Sequence, residues 1–440
     1  MIHIIGLGVS EFAELNSSAS SALASAAWVI GSVRQLAVVA QVTSSSSQHM
    51  ILPPLKELAH WLEDRLEDKQ TSQNIVVLAS GDPLFYGIGR WFSKNYPADD
   101  LCFYPAISSI QAACHKLGLS LQDIEVLSLH GRPLAQIRKT LKPAQTLVVL
   151  SDKQSQPQAL AQECIGAGFE HSEITVCENL GYAKQAISRF DAQALSISKQ
   201  VFEPLHLSVI KVQGKGGVLP SFPGIPDDDF ISDASQKSNE VIKPSNSSRK
   251  AMLTKREVRL AILSLMQANN ADVIWDIGAG CGSVSVELAY WNKNVQVHAI
   301  EHHAERLACL EANRSRFGVV SQLHITMGTA PECLAGLPTP SKVFIGGSDG
   351  RLPELLTLIW QTLTEDGLLV VSAVTEASKL NLLNFMNERE QCRDASCETL
   401  QIAVSKGSQL AGQLVYRPSL PVSLFKFTKL PHLCERERVK

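Results

Sequence analysis

None of the ten cysteines forms a Cys-x-x-Cys pair, the nearest two being Cys392 and Cys397. In a chain of 440 residues such scatter reads as reduced, mostly buried thiols. It argues against a zinc or iron–sulfur site, so no metal is expected. An excess of either charge is also missing: 40 basic side chains face 43 acidic ones, for a net charge of −3. That balance gives no long-range pull toward nucleic acid or anionic lipid. Aromatics are only 6% of the chain, and no basic stripe with interleaved aromatics marks an RNA surface. The start, Met1-Ile2-His3-Ile4-Ile5, lacks the basic region and longer apolar run of a secretory signal. The uncharged stretch from Leu15 to Val33 has the length of a membrane span but is full of Ser and Ala. It fits a small-residue helix followed by a strand. The expectation is a cytoplasmic protein with neither nucleic acid nor membrane as partner.

Hydrophobic residues make up 45% of the chain and charged ones 19%, enough to bury a full core. The length exceeds one ordinary core, so two or three domains are expected. From Ser232 to Lys250 there are six serines, no aromatic, and only Ala234, Val241 and Ile242 as apolar content. That composition cannot offset the entropy of ordering. Pro220, Pro223, Gly224 and Pro226 just before it break regular structure. The predicted organisation is a domain over 1–215, a linker with a Ser-rich insert over 216–250, and a domain over 251–440. Both halves alternate β-branched runs with helical patterns, the signature of α/β folds with parallel sheets. Strands are predicted at Ile75–Leu78 and Leu147–Leu150, and a helix face at Ile110, Ala113, Cys114 and Leu117.

In the second half a helical stripe, Val258, Ala261, Ile262, Leu265 and Met266, leads to a strand at Val273-Ile274-Trp275. Asp276-Ile277-Gly278-Ala279-Gly280-Cys281-Gly282 follows, and then a helix with Val284, Val286 and Leu288. Glycines at such a turn let the backbone bend and approach a ligand that a Cβ would exclude. The next strand, Val295 to Ile300, ends at Glu301, placed to accept hydrogen bonds from both ribose hydroxyls of a nucleoside. A dinucleotide fingerprint would need glycine where Ser283 stands. The D-x-G-x-G-x-G spacing is instead that of class I methyltransferases. Further strands are predicted at Gln322–Met327, before Gly328-Thr329-Ala330-Pro331-Glu332, and at Val343–Ile345, before Gly346-Gly347-Ser348. A helix from Leu352 to Leu363, a strand from Leu368 to Val374 and then Glu376 complete this reading.

The run Thr254-Lys255-Arg256-Glu257-Val258-Arg259, with WDIGAGCGSVSVE, AIE, GTAPE and VFIGGSDG, resembles the C15-methylating, decarboxylating class I methyltransferases of cobalamin biosynthesis over 251–440. The resemblance implies a Rossmann-like domain binding S-adenosylmethionine through Thr254, Gly278, Gly280, Gly282, Glu301 and Ala330, within a turn that also holds Asp276, Ala279 and Cys281. For Lys255, Arg256 and Arg259 a solvated helix face stands as the alternative to ligand binding.

In the first half, Ser80-Gly81-Asp82-Pro83-Leu84-Phe85-Tyr86-Gly87 follows a strand directly. Pro83 fixes the bend, and the loop exposes backbone groups at a strand's carboxyl end. Gly-Asp-Pro alone is a common turn. Its neighbours add weight: Gly6-Leu7-Gly8, Pro105-Ala106-Ile107-Ser108-Ser109, and Ser128-Leu129-His130-Gly131-Arg132-Pro133. With Gly31-Ser32-Val33-Arg34-Gln35-Leu36, these segments resemble the C5-methylating branch of the class III tetrapyrrole methylases over about residues 1–212. That likeness implies a two-lobed α/β domain with S-adenosylmethionine in the cleft beside Ser80, Gly81, Asp82, Phe85, Ser108 and Ser109. The sequence departs from that family after Gly8, where Val9-Ser10-Glu11 replaces a further glycine.

The combined resemblance implies methylation of precorrin-6B, or its cobalt form, at C5 and C15 with loss of the ring-C acetate carboxyl. A sulfonium methyl is already activated, so alignment and water exclusion carry the reaction, with no metal or catalytic triad. His130, Arg132 and Glu376 are the catalytic candidates, Arg132 doubling as a bidentate carboxylate clamp. Arg90, Lys255, Arg256 and Arg351 are the further cations expected to hold the carboxylates of a small-molecule tetrapyrrole. A methyltransferase on another substrate, or one with only the second half active, is the competing reading. Assembly into a homo-oligomer stays open.

Overall fold

A computed structural model describes residues 1–66, 74–217, 219–233 and 252–431. It divides into two compact units: Met1–Gly131 with Pro143–Lys215, and Arg132–Lys142 with Gly216–Lys440. Residues 234–250 of the predicted linker lie outside the described residues.

The first unit contains two sheets. The first is built from β1 (Ile2–Gly6), α1 (Ser17–Ala24), β2 (Trp28–Gly31), α2 (Val33–Val39), β3 (Gln48–Ile51), α3 (Leu55–Leu66), β4 (Ile75–Ala79), α4 (Gly89–Asn95) and β5 (Leu101–Tyr104). Its order is β3-β2-β4-β1-β5, parallel throughout. Helices cover both faces, so the strands read as continuous apolar runs: Val76 and Leu78 of β4 enter one core, Ile75 and Val77 the other. The uncharged stretch near the start of the chain is α1 and β2, as expected. The second sheet follows α5 (Ser109–Leu117) and comprises β6 (Ile124–Ser128), β7 (Thr146–Leu150), α6 (Pro157–Gly166), β8 (Glu173–Glu178), β9 (Ala186–Asp191), α7 (Ala192–Ser196) and β10 (His206–Lys211). Its order is β6-β7-β10-β8-β9, with only β6 and β7 parallel.

The second unit runs α8 (Arg256–Met266), β11 (Val273–Ile277), α9 (Ser283–Trp291), β12 (Gln296–Glu301), α10 (Ala304–Arg316), β13 (Leu323–Met327), β14 (Lys342–Ile345), α11 (Leu352–Thr362), β15 (Leu368–Ala373), α12 (Glu376–Cys392), β16 (Ala395–Ile402), β17 (Ser405–Leu410), β18 (Gln413–Pro418) and β19 (Val422–Lys429). The large sheet has order β13-β12-β11-β14-β15-β19-β16. Its first five strands are parallel, and β19 runs antiparallel between β15 and β16. The chain leaves β11 toward β12 on one side and later returns to β14 on the other. That switch opens a crevice at the carboxyl ends of the strands. Alternation again feeds two cores: Ile274 and Val297 face one, Trp275, Ile277 and Ile300 the other.

Two departures from the sequence reading stand out. Residues 219–233, inside the predicted linker, place Ile225 and Phe230 in the core of the second unit. Arg259 is not on a solvated face but fully buried. Its guanidinium donates to Glu287 at 2.6 Å, Asp227 at 3.1 Å and the Thr254 carbonyl at 2.6 Å, and also to the Ile225 carbonyl. It lies 4.9 Å from the Phe230 ring centroid. Glu287, equally buried, also accepts from the backbone N–H groups of Gly224 and Ile225 and from the Trp291 indole. A charge so deep persists because every polar atom around it is matched.

Candidate functional site

At the crevice of the second unit lies a cavity of about 350 Å3. Its floor is the turn after β11. Gly278 has φ +70°, and a Cβ there would meet the Gly347 backbone at 2.7 Å, so the loops after β11 and β14 touch backbone to backbone. Gly282 caps α9, and a side chain there would collide with Leu310. Glu301, only 3% exposed, closes the inner end. One of its oxygens accepts from Gly280 N–H at 2.9 Å, the other from the N–H groups of His302 and His303 at 2.9 Å each. The carboxylate thus locks the turn to the end of β12.

Beneath the turn, Asp276 is sealed off and accepts from the Ser285 hydroxyl, while its Oδ1 has no hydrogen-bond partner among the described residues. Burial pushes its carboxyl up to about 7, against the lowering pull of the Ser285 hydroxyl and amide, with the Glu301 charge adding to the rise.

Of the residues marked from sequence, Thr254, Lys255, Gly278, Ala279, Gly280, Glu301 and Ala330 line this cavity. Asp276, Cys281 and Gly282 are not among the lining residues. Cys281 is buried, its carbonyl accepting from Asn313. Arg256 pairs with Glu257. Arg351 sits between Glu332 and Glu354, so its charge is already met. Glu376 projects into solvent and pairs with Lys379 at 2.7 Å. Several lining groups carried no sequence signal: His302, Arg306, Asp349 and Lys406. His302 Nδ1 lies 3.4 Å from Asp349. Asp349 falls within the VFIGGSDG segment without having been singled out, while His302, Arg306 and Lys406 lie outside the quoted motifs and reach the cavity through the fold.

The first unit has a smaller cavity of about 100 Å3, lined by Gly8, Val9, Arg34, Ser80, Ser109 and Tyr182 among others. Ser80 accepts from Arg34 at 2.8 Å and from Gln35 at 3.0 Å. Asp82 folds onto its own loop, accepting from the N–H groups of Leu84 and Phe85. Gly81 packs where a Cβ would meet Ser108 Cα at 2.9 Å. Ser108 is the buried N-cap of α5, in a capping box with Gln111. Phe85 stays half-exposed against Tyr86. The divergent Val9-Ser10-Glu11 segment has a structural use: Val9 lines the cavity and Glu11 accepts from Ala183 N–H at 2.9 Å. His130, Arg132 and Arg90 are exposed and are not among the lining residues. The turn after His130 is fixed by Gly131 N–H donating to Asp152; that bond, the Ser155 hydroxyl and further amides hold the Asp152 carboxyl down to about 2.

Comparison with known proteins gives a consistent result for both units. The family model "Tetrapyrrole (Corrin/Porphyrin) Methylases" matches residues 1–196, and "Precorrin methyltransferase domain" matches residues 247–429. A precorrin-6Y C(5,15)-methyltransferase (decarboxylating) of a Sinorhizobium species is 30% identical over 428 residues, covering 97% of this chain and 96% of that one. A protein of the same name from Mycobacterium tuberculosis is 27% identical, covering 98% of this chain and 100% of that one. Among solved structures, a precorrin-6y C5,15-methyltransferase from Geobacter metallireducens is 29% identical, covering 48% of this chain and all of that one, with a TM-score of 0.41.

Proposed function

The chain belongs to the precorrin-6Y C(5,15)-methyltransferase (decarboxylating) family, and we propose that its two units divide the chemistry. In this reading the first methylates C5, and the second methylates C15 and releases the ring-C acetate carboxyl as carbon dioxide. The family membership makes the chain a bifunctional S-adenosylmethionine-dependent methyltransferase of cobalamin biosynthesis, acting on a precorrin. No described helix is long and apolar enough to cross a membrane. Nine described cysteines are free thiols, which supports the cytoplasm as the compartment.

The observation that carries the division is the presence of a separate cavity in each unit, each over a glycine-containing turn at the ends of parallel strands. The second cavity fits the donor: the glycine turn Gly278-Ala279-Gly280 lines it beside one enclosed carboxylate, Glu301. When bound, S-adenosylmethionine supplies an electrophilic methyl group. Glu301 then serves the ribose hydroxyls, Gly278 and Gly280 give the close backbone approach, and Thr254 and Ala330 wall the site. In the first unit Ser80, Ser109 and the backbone of Gly8 and Val9 have the corresponding role. The chain's work is to align a ring carbon with the methyl and keep water out. Loss of the carboxyl sends its electron pair into the conjugated ring, which acts as the sink.

The test is incubation of the full chain with precorrin-6B and isotope-labelled donor, read by mass spectrometry. Two labelled methyls and loss of one carbon dioxide are expected. Glu301→Ala is expected to lower C15 methylation about tenfold or more and leave C5 methylation intact. Asp82→Ala should do the reverse. Loss of both methylations from either change, in a chain that still folds, would defeat the division of labour.

A further inference from the structure

The larger cavity has two unlike walls. One is the cofactor wall of glycine turns and Glu301. The other is built by the last strands of the chain. Ile402, at the end of β16, pairs with Val422, at the start of β19, and Ser423 pairs with Ala373, the last residue of β15. The β17–β18 hairpin therefore springs from the carboxyl edge of the sheet, where the cavity opens. Ile402, Val404 and Leu420 line that side, and Leu420 is 73% exposed. An uncovered leucine at the mouth of a cavity is apolar surface suited to a ligand's flat face.

Beside this apolar wall the hairpin carries two cations, of which only Lys406 is a lining residue. Lys406 lines the cavity with its side chain 52% exposed. The hairpin register sets Arg417 directly opposite it. Opposed residues of an antiparallel pair share a face, and like charges there repel. Lys406 has Glu257 at 3.4 Å, but that carboxylate is shared with Arg256. Arg417 has no acidic partner among the described residues. Charges on an exposed hairpin also guard against edge pairing, but that role explains neither the cavity-facing lysine nor the open leucine beside it. An anion bridging the two cations relieves their repulsion, and Arg offers it a bidentate fork.

We propose that Lys406 and Arg417 form a seat for a peripheral carboxylate of the tetrapyrrole, whose ring lies on Ile402, Val404 and Leu420. Ion pairing stabilises a carboxylate as it stands, so the seat holds a side chain that is retained, not the one lost as carbon dioxide. The inference rests on the assignment of C15 chemistry to this unit.

The test measures C15 methylation by the full chain as a function of precorrin concentration, with donor affinity followed separately by calorimetry. The double change Lys406→Ala and Arg417→Ala is expected to raise KM for the precorrin about tenfold or more, with kcat and donor affinity within about twofold of wild type. Raising the salt concentration should weaken precorrin binding by the wild type more than by the variant. Lys406→Arg should restore most of the affinity where Lys406→Gln does not. An unchanged KM in a wild-type background that methylates C15 overturns the seat alone. A wild type that leaves C15 unmethylated overturns the assignment of that chemistry, and the seat with it.

Discussion

Asp276 shows how one residue can belong to a cofactor motif without touching the cavity. It sits under the turn, bonded to Ser285 on α9, with one oxygen left bare. Its carboxyl is raised by burial to about 7, whereas an unfolded aspartate titrates near about 4. The folded chain therefore keeps a proton that the unfolded chain has released between those values. Stability from this group is complete below about pH 4 and is lost as pH rises through about 7. Asp276→Asn removes the ionisation while keeping an acceptor for Ser285. The expected result is a wild type that loses stability to denaturant between about pH 4 and about pH 7, by at most about 4 kcal/mol, and a variant with a flatter profile. Parallel profiles would show that Asp276 is ionised throughout. The acid and glycines of this motif were legible because a strand–turn–helix cradle is written in contiguous residues. His302 and Lys406 were not, since each reaches the cavity only through the pairing of strands far apart in sequence.

At the scale of elements, α8 and α9 are joined through Arg259 and Glu287, and the segment 219–233 is bound to both. The threonine that lines the cavity, Thr254, is held by its carbonyl to the same arginine. Arg259→Ala leaves Glu287 buried without its partner, a loss of about 3–5 kcal/mol, expected as a large fall in denaturation midpoint together with weaker donor binding. A midpoint within about 0.5 kcal/mol of wild type would mean that water replaces the guanidinium. Composition misled here for a physical reason. Thr-Lys-Arg-Glu-Val-Arg carries four charged residues in six, and nothing local distinguishes the arginine that turns inward. The strands fared better: β4, β7, β11 and β15 are apolar runs covered on both faces, and such runs have few alternatives to burial. The β17–β18 hairpin had no such signature, because its apolar residues, Leu410, Leu414, Val415 and Tyr416, are mixed with polar ones on both faces, and Leu410, Leu414 and Tyr416 stay exposed.

For the whole molecule, the pattern of two α/β units was readable from alternating runs and two dissimilar glycine signatures, and the structure has both. The serine-rich stretch itself lies outside the described residues, and where packing sets in ahead of it was not readable. Ile225 and Phe230 are isolated apolar residues among prolines and aspartates, too sparse to announce a core. Proteolysis or gene splitting aimed at the serines would leave that segment on the wrong piece. A fragment starting at residue 251 would carry Glu287 without the Gly224 and Ile225 amides and with an apolar socket open to water. It should melt well below one starting at residue 216, and equal melting of the two would contradict this. Wherever a gene for such a protein divides in two, the prolines and aspartates ahead of the serines should travel with the downstream partner.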